Sequence, residues 1–179
     1  MTLADVAYAG VAGKKIKLLG RAVRDGESGK VRAYVAPHLM DDSNPLAGVE
    51  DVFNAITVKG DATGDVMFYG RGAGKLPTAS AVVADVIDAA KHLNTRKYLE
   101  WAEGGADVTA DANELACRWY VRAAAKGETL CAAVEGELLT RTDGAEGEAA
   151  CITANAMTRS ELEQALKGVE TLTVLRVLN

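Results

Sequence analysis

The chain has 179 residues, of which 49% are hydrophobic and 25% charged, and its formal net charge at pH 7 is −5. This size and composition are those of a folded globular protein and exclude an intrinsically disordered one. No apolar run reaches the roughly 18 residues of a membrane span, and no cluster of lysines and arginines indicates a nucleic-acid surface. We therefore expect a protein that binds neither membranes nor nucleic acids.

Cysteine and histidine usage indicates a reduced protein without a metal. The cysteines, Cys117, Cys131 and Cys151, are far apart, and the histidines, His38 and His92, have no partner at metal-ligand spacing. Separated cysteines in odd number are typical of free thiols in a reducing compartment. The first residues also lack the basic and apolar regions of a signal peptide. We therefore expect a cytoplasmic protein with no metal site.

The first part of the chain, residues 1–93, predicts two strand pairs with accompanying helices. A short helix is expected first, with Thr2 as its N-cap and Gly13 near its end. Apolar runs separated by the turns DGESG and DATG then predict two hairpins. The predicted strands are 14–24 and 30–40, followed by 51–60 and 65–70. We expect these four strands to form one antiparallel or mixed sheet.

A long amphipathic helix is predicted from Pro77 to Leu93. Its apolar face consists of Val82, Val83, Val86, Ile87 and Ala90. The polar segment 94–114 follows and lacks sustained periodicity, so it predicts a linker with one short helix near Tyr98 and Trp101.

The last part, residues 115–179, predicts a module in which strands and helices alternate. The predicted strands are 115–125, a weak one near 138–144, 148–157 and 170–178, and the predicted helices are 128–139 and a second one between Thr158 and Gly168. Thr158 and Glu161 form a capping box that opens the second helix. The order βαββαβ is ferredoxin-like, and the whole chain is therefore expected to be an α+β protein.

The segment FYGRGAGKLPTAS places three glycines, Gly70, Gly72 and Gly74, directly before the long helix. A helix N-terminus preceded by glycines can bind a phosphate through its free N–H groups. The loop fits neither common phosphate motif, however, because Lys75 stands where a dinucleotide fingerprint needs a small residue and Leu76 where a P-loop needs Ser or Thr. From the residue types alone, a cofactor-binding loop and a tight turn with close backbone packing both remain open.

The longer string around this loop resembles the homoserine dehydrogenase family. That family carries a Pro-Leu-Ala segment, then Asn-Ala-Ile, then an aromatic-Gly-x-Gly-Ala-Gly loop followed by Pro-Thr-Ala. The matching residues are Pro45, Leu46, Ala47, Asn54, Ala55, Ile56, Gly70, Gly72, Ala73, Gly74, Pro77, Thr78 and Ala79. The stretches TLADVAYA and IKLLGRA add to the likeness, which covers about residues 2–92.

The resemblance implies hydride transfer between NAD or NADP and the pair homoserine and aspartate 4-semialdehyde. It implies that residues 1–93 form part of a substrate and dimerisation domain, so that a homodimer is expected. It also implies that Gly70, Gly72, Ala73 and Gly74 form one wall of the cofactor site. Residues 115–179 resemble an ACT domain through element order alone, with Gly127 in the turn that often contacts an amino-acid effector. A threonine-binding module and a pairing module without ligand both remain open.

The family's catalytic segment and main cofactor domain have no counterpart in this sequence. It contains no βαβ unit with G-x-G-x-x-G and no D-x-x-G-x-D-x-x-x-K, the family signature around the catalytic lysine. The nearest match, Asp61 to Asp65, reads as the exposed tip of a hairpin. No catalytic residue is therefore assigned, and the chain alone is expected to be inactive. The alternative is a non-enzymatic regulatory or dimerisation protein.

Overall fold

The computed structural model describes residues 1–95, 103–105, 107–141, 144 and 146–178. The short helix predicted near Tyr98 and Trp101 lies outside the described residues. Contacts divide the chain into two compact units, one of residues 1–47 with 104–179 and one of residues 48–103.

The helices and strands of the described residues reproduce most of the predicted elements. In chain order they are α1 (Leu3–Val11), β1 (Lys14–Arg24), β2 (Val31–Asp41), β3 (Phe53–Gly60), β4 (Gly64–Arg71), α2 (Lys75–Lys91), β5 (Trp119–Ala123), α3 (Gly127–Val134), β6 (Gly136–Leu139), β7 (Ala149–Thr153), α4 (Arg159–Ala165) and β8 (Thr171–Val177). Short 3-10 turns cover Pro45–Gly48 and Ala112–Glu114. The α+β class is confirmed.

The first unit is built on a six-stranded sheet with the order β1-β2-β8-β5-β7-β6. Within it, the pairs β8–β5, β5–β7 and β7–β6 are antiparallel, and the chain visits these four strands in the order βαββαβ. This connectivity is the ferredoxin-like one expected from the sequence. The finer assignment to an ACT domain stays a prediction.

The hairpin β1–β2 joins this sheet, which corrects the expectation that it pairs with the second hairpin. Strand β2 runs parallel to β8, with His38 opposite Arg176 and Leu39 opposite Val177. Leu39 is completely buried and packs among apolar residues of the C-terminal strands. The partner of an edge strand is decided by such tertiary contacts rather than by the local pattern. The domain boundaries at 93 and 115 stay a prediction, although these contacts cross them.

Alternating residues of the sheet pack on its two faces. Trp119 and Val121 of β5 belong to the cluster beneath α3 and α4, together with Leu130 and Leu162. Tyr120 lies on the opposite face in a second cluster, which contains Tyr8 of α1. Because successive strand residues point to opposite faces, the sheet is covered by helices on both sides. Helix α1 is therefore part of the same core as the C-terminal strands.

The helix predicted over 128–139 is shorter than expected, because it ends at Val134. Glu135 adopts a left-handed conformation with φ 47°, which stops the helix. Strand β6 then begins at Gly136, where a Cβ would lie 2.9 Å from the carbonyl oxygen of Ile152. The glycine thus allows the chain to approach β7 closely, and Leu138 belongs to a strand instead of a helix.

The second unit contains the hairpin β3–β4 and helix α2. The hairpin is antiparallel and regular from the pair Phe53 and Arg71 to the pair Gly60 and Gly64. No residue of α2 is buried, and Val82 and Val86 of its apolar face are 58% and 62% exposed. The predicted apolar face therefore exists, but the residues described in this unit do not bury it. No helix in the described part of the chain is long and apolar enough to span a membrane.

Candidate functional site

The glycine loop connects β4 to α2, as the sequence predicts. Strand β4 ends at Arg71 and helix α2 begins at Lys75. The loop turns back onto the start of the hairpin, because the N–H groups of Gly72 and Ala73 both point to the carbonyl oxygen of Val52, at 3.2 and 3.5 Å. Of the four predicted site residues, Gly70 lies near the end of β4, and Gly72, Ala73 and Gly74 form the short connection to α2.

Each of the three glycines meets different surroundings. Gly74 has φ 115°, which only glycine adopts readily, although a Cβ there would have room and meet Pro77 Cδ at 3.6 Å. A Cβ on Gly72 would overlap the side chain of Asn54, lying 2.6 Å from its Cγ and closer still to its Nδ2. Gly70 has no atom within 4 Å of an added Cβ and no left-handed φ.

These surroundings explain two of the glycines by the fold alone. Gly72 makes room for the side chain of Asn54, and Gly74 permits the turn into α2. Both agree with the second interpretation of the loop, a tight turn with close backbone packing. Nothing within the described residues requires glycine at position 70. The cofactor-binding role of the loop stays a prediction.

The electrostatics of the loop favour an anion. Helix α2 has no acidic residue in its first turn, begins with Lys75, and no side chain caps its N-terminus. Its free N–H groups carry a partial positive charge. The guanidinium of Arg71 lies 5.2 Å from the centre of the Phe53 ring, and Phe53 stacks on Tyr69. The loop thus presents an exposed backbone between two basic side chains.

The nearest match to the catalytic signature and the first lysine of β1 both have structural positions. The segment from Asp61 to Asp65 is the exposed hairpin tip, and Asp61 accepts a hydrogen bond from the N–H of Ala62. Lys14 forms an ion pair with Asp41 across the first hairpin. Within the described residues, no group of three or more His, Cys, Asp or Glu side chains could hold a metal ion.

Sequence reasoning missed a buried ionic network between α1 and β5. Asp5 of α1 is fully buried and accepts hydrogen bonds from Arg122 Nε at 2.7 Å and from the Tyr120 hydroxyl at 3.0 Å. Arg122 also donates to Glu148 at 2.6 Å. Burial alone would raise the pKa of Asp5, but the hydrogen bonds and the positive charge of Arg122 outweigh it and lower the pKa. The one sequence signal of this network is Arg122 itself, because it is a charged residue within an apolar predicted strand.

A cavity of about 170 Å³ on the same unit is lined by Trp119, Arg159 and Arg176, among others. Arg176 lies between the rings of Tyr34 and Trp119, 4.7 and 4.6 Å from their centres. Its guanidinium donates to the carbonyl oxygen of Ala112 at 2.9 Å, and Arg159 pairs with Glu163. Protein groups thus engage both arginines.

The turn thought to resemble an effector site contains Gly127, the first residue of α3. A Cβ on this glycine would lie 2.8 Å from Leu138 Cδ1, so its absence makes room for β6. The packing of Leu138 gives a structural reason for this glycine, and an effector role stays a prediction.

Comparison with known proteins gives consistent results. Residues 1–87 match the family model of homoserine dehydrogenase. The homoserine dehydrogenase of Neisseria gonorrhoeae is 38% identical over 131 residues, covering 69% of this chain and 30% of that protein. That of Synechocystis is 51% identical over 88 residues, covering 47% of this chain and 20% of that protein.

Solved structures extend the likeness to the whole chain. A Staphylococcus aureus homoserine dehydrogenase at pH 7.0 superposes with a TM-score of 0.74 and 33% identity, covering 100% of this chain and 45% of that one. The Thiobacillus denitrificans homoserine dehydrogenase gives a TM-score of 0.76 at 26% identity, covering 100% and 46%. The chain therefore spans less than half the length of these relatives.

Proposed function

Because the chain belongs to the homoserine dehydrogenase family, we propose that it is part of an NAD(P)-dependent oxidoreductase. That enzyme interconverts L-homoserine and L-aspartate 4-semialdehyde. The observation that carries the proposal is the continuous match of residues 1–87, which includes the entire glycine loop. The non-enzymatic alternative is not favoured, since the relatives are homoserine dehydrogenases.

The glycine loop is the proposed contribution of this chain to the cofactor site. When bound, the nicotinamide cofactor supplies or accepts the hydride. The exposed loop backbone and the flanking Arg71 and Lys75 suit a ligand that carries phosphates. Gly70, Gly72, Ala73 and Gly74 would hold the cofactor through main-chain contacts. No residue of this chain is proposed to move the proton.

The test compares the chain alone with a completed enzyme. The chain is joined to the part of the Neisseria relative that it does not match, and homoserine-dependent reduction of NAD and NADP is followed by absorbance. We expect turnover by the completed enzyme and none by the 179-residue chain, which lacks the G-x-G-x-x-G and lysine segments. Turnover by the purified chain, or none by a folded completed enzyme, would contradict the proposal.

We further propose a homodimer. The exposed apolar residues of α2 and of the hairpin, such as Ile56 and Phe68, support it, because exposed apolar surface commonly marks a contact site.

Residues 115–179 are proposed as an ACT-like regulatory module after a linker at 94–114, with threonine as its effector. The free cysteines support a cytoplasmic location.

A further inference from the structure

The glycine loop rests on one side chain of the neighbouring strand. Asn54 of β3 lies opposite Gly70 of β4, and its side chain extends to Gly72 two residues farther on. The Asn54 side chain fills the space that a Cβ on residue 72 would occupy. Such a Cβ would lie 2.6 Å from Asn54 Cγ and 3.1 Å from Asn54 Cβ. Real Cβ atoms essentially never come within 2.6 Å of another carbon, so Asn54 would have to move and the two positions are sterically coupled.

The backbone of the loop is attached to the same strand region. Val52, two residues before Asn54, accepts the hydrogen bonds from Gly72 and Ala73. The loop is thus held to the start of β3 by two main-chain hydrogen bonds and by the side chain of Asn54. No residue of α2 is buried, so burial of the helix does not hold the loop.

We infer that Asn54 is the positioning residue of the glycine loop. Its side chain sets the distance between the loop and β3, and Gly72 is the complementary position that lets it do so. The identification of the cofactor as the ligand of the loop rests on the proposed function. The positioning of the loop by Asn54 does not depend on it. Asn54 therefore acts through the loop and needs no contact with the reacting atoms.

Amide hydrogen exchange of the full chain tests the positioning without any cofactor. In Asn54→Ala we expect the Gly72 and Ala73 amides to exchange about fivefold faster or more, because the loop loses its support. Asn54→Asp has the same shape and is expected to keep the slow exchange. Thr57→Ala removes an exposed side chain from the same strand and should leave both amides unchanged.

A double variant tests the steric coupling directly. Gly72→Ala alone is expected to speed exchange, because its Cβ displaces Asn54. Asn54→Gly combined with Gly72→Ala should exchange like Asn54→Gly alone, since glycine at position 54 removes every side-chain atom that the new Cβ would meet, including the Asn54 Cβ at 3.1 Å. Additive effects, unchanged exchange in Asn54→Ala, or unprotected loop amides in the unchanged protein would each overturn the inference.

Kinetics of the completed enzyme connect the position of the loop to its use. Asn54→Ala is expected to raise the KM for NAD(P) about tenfold or more with a smaller change in kcat, while Thr57→Ala changes neither. A folded completed enzyme without activity would refute the proposed function. The hydrogen-exchange experiment on the chain alone would then still decide whether Asn54 positions the loop. A normal KM together with faster loop exchange would overturn the link between Asn54 and cofactor binding.

Discussion

Gly70 is the residue that separates the two explanations of the glycine loop. Gly72 and Gly74 are each explained by an internal constraint, a clash with Asn54 in one case and φ 115° in the other. Gly70 has neither among the described residues, whereas the proposed cofactor wall would account for a glycine there, because it would let a ligand approach the backbone closely. A substitution at position 70 therefore tests the ligand with little effect on the fold.

We predict that Gly70→Ala in the completed enzyme raises the KM for the cofactor about tenfold, because in the proposed cofactor site its methyl group would meet the bound molecule. The melting temperature should stay unchanged, since an added Cβ meets no atom within 4 Å. Gly74→Val is the comparison, because backbone strain of about 1–3 kcal/mol should lower its melting temperature. A normal KM in Gly70→Ala would exclude position 70 from the cofactor wall.

Helix α1 is the element whose attachment depends on charge. Its apolar residues Tyr8 and Ala9 pack on the sheet, but its N-terminal turn is held by Asp5 and Arg122. A buried ion pair that loses one partner leaves an uncompensated charge, which is costly even when the intact pair contributes little to stability. The helix and the C-terminal strands are therefore coupled by this ion pair, by the hydrogen bond from the Tyr120 hydroxyl to Asp5 and by the packing of Tyr8 and Ala9.

Arg122→Met is predicted to lower the free energy of unfolding by about 3–5 kcal/mol, measured by urea denaturation at neutral pH. The loss arises because the carboxylate of Asp5 stays buried without its partner. Adding Asp5→Leu to Arg122→Met should recover most of it, since no buried charge remains. A single variant as stable as the unchanged protein would show that the pair does not hold α1.

Local patterns predicted the elements better than their partners. The bounds of β1 and the βαββαβ order follow from alternation, turns and capping residues, all of which are local. The pairing of β2 with β8 depends on residues more than 100 positions apart, such as His38 and Arg176, and no local signal reports it. The sequence predicts the glycine loop between a strand and a helix, where the structure has it. The contact of Asn54 with Gly72 depends on the register between β3 and β4, which the spacing of residues in the sequence does not reveal.

At the scale of the whole molecule, β8 is the strand on which the larger sheet depends. It pairs with β2 on one side and with β5 on the other, although it is the last of the described strands in sequence order. Leu175 and Val177 of β8 are also buried in the core beneath α1. Loss of β8 would therefore separate the first hairpin from the rest of its own sheet.

A chain that ends at residue 169 is predicted to lose the cooperative thermal unfolding of the full chain, followed by circular dichroism. The reason is that β2 and β5 would both present unpaired edges and the core beneath α1 would lose the buried apolar residues Leu175 and Val177. A synthetic peptide of residues 170–179, added in excess, should restore the transition by occupying the vacant place. Cooperative unfolding of the shortened chain without the peptide would contradict this central role.

The central place of β8 has a consequence for protein synthesis. Strands β1 and β2 leave the ribosome long before β8 has been translated, so the hairpin must wait for a partner at its inner edge. During this interval, β2 carries unpaired main-chain groups beside exposed apolar residues, a combination that invites association between nascent chains. The sheet therefore closes only after β8 has been translated, when this strand enters between two edges that were made earlier.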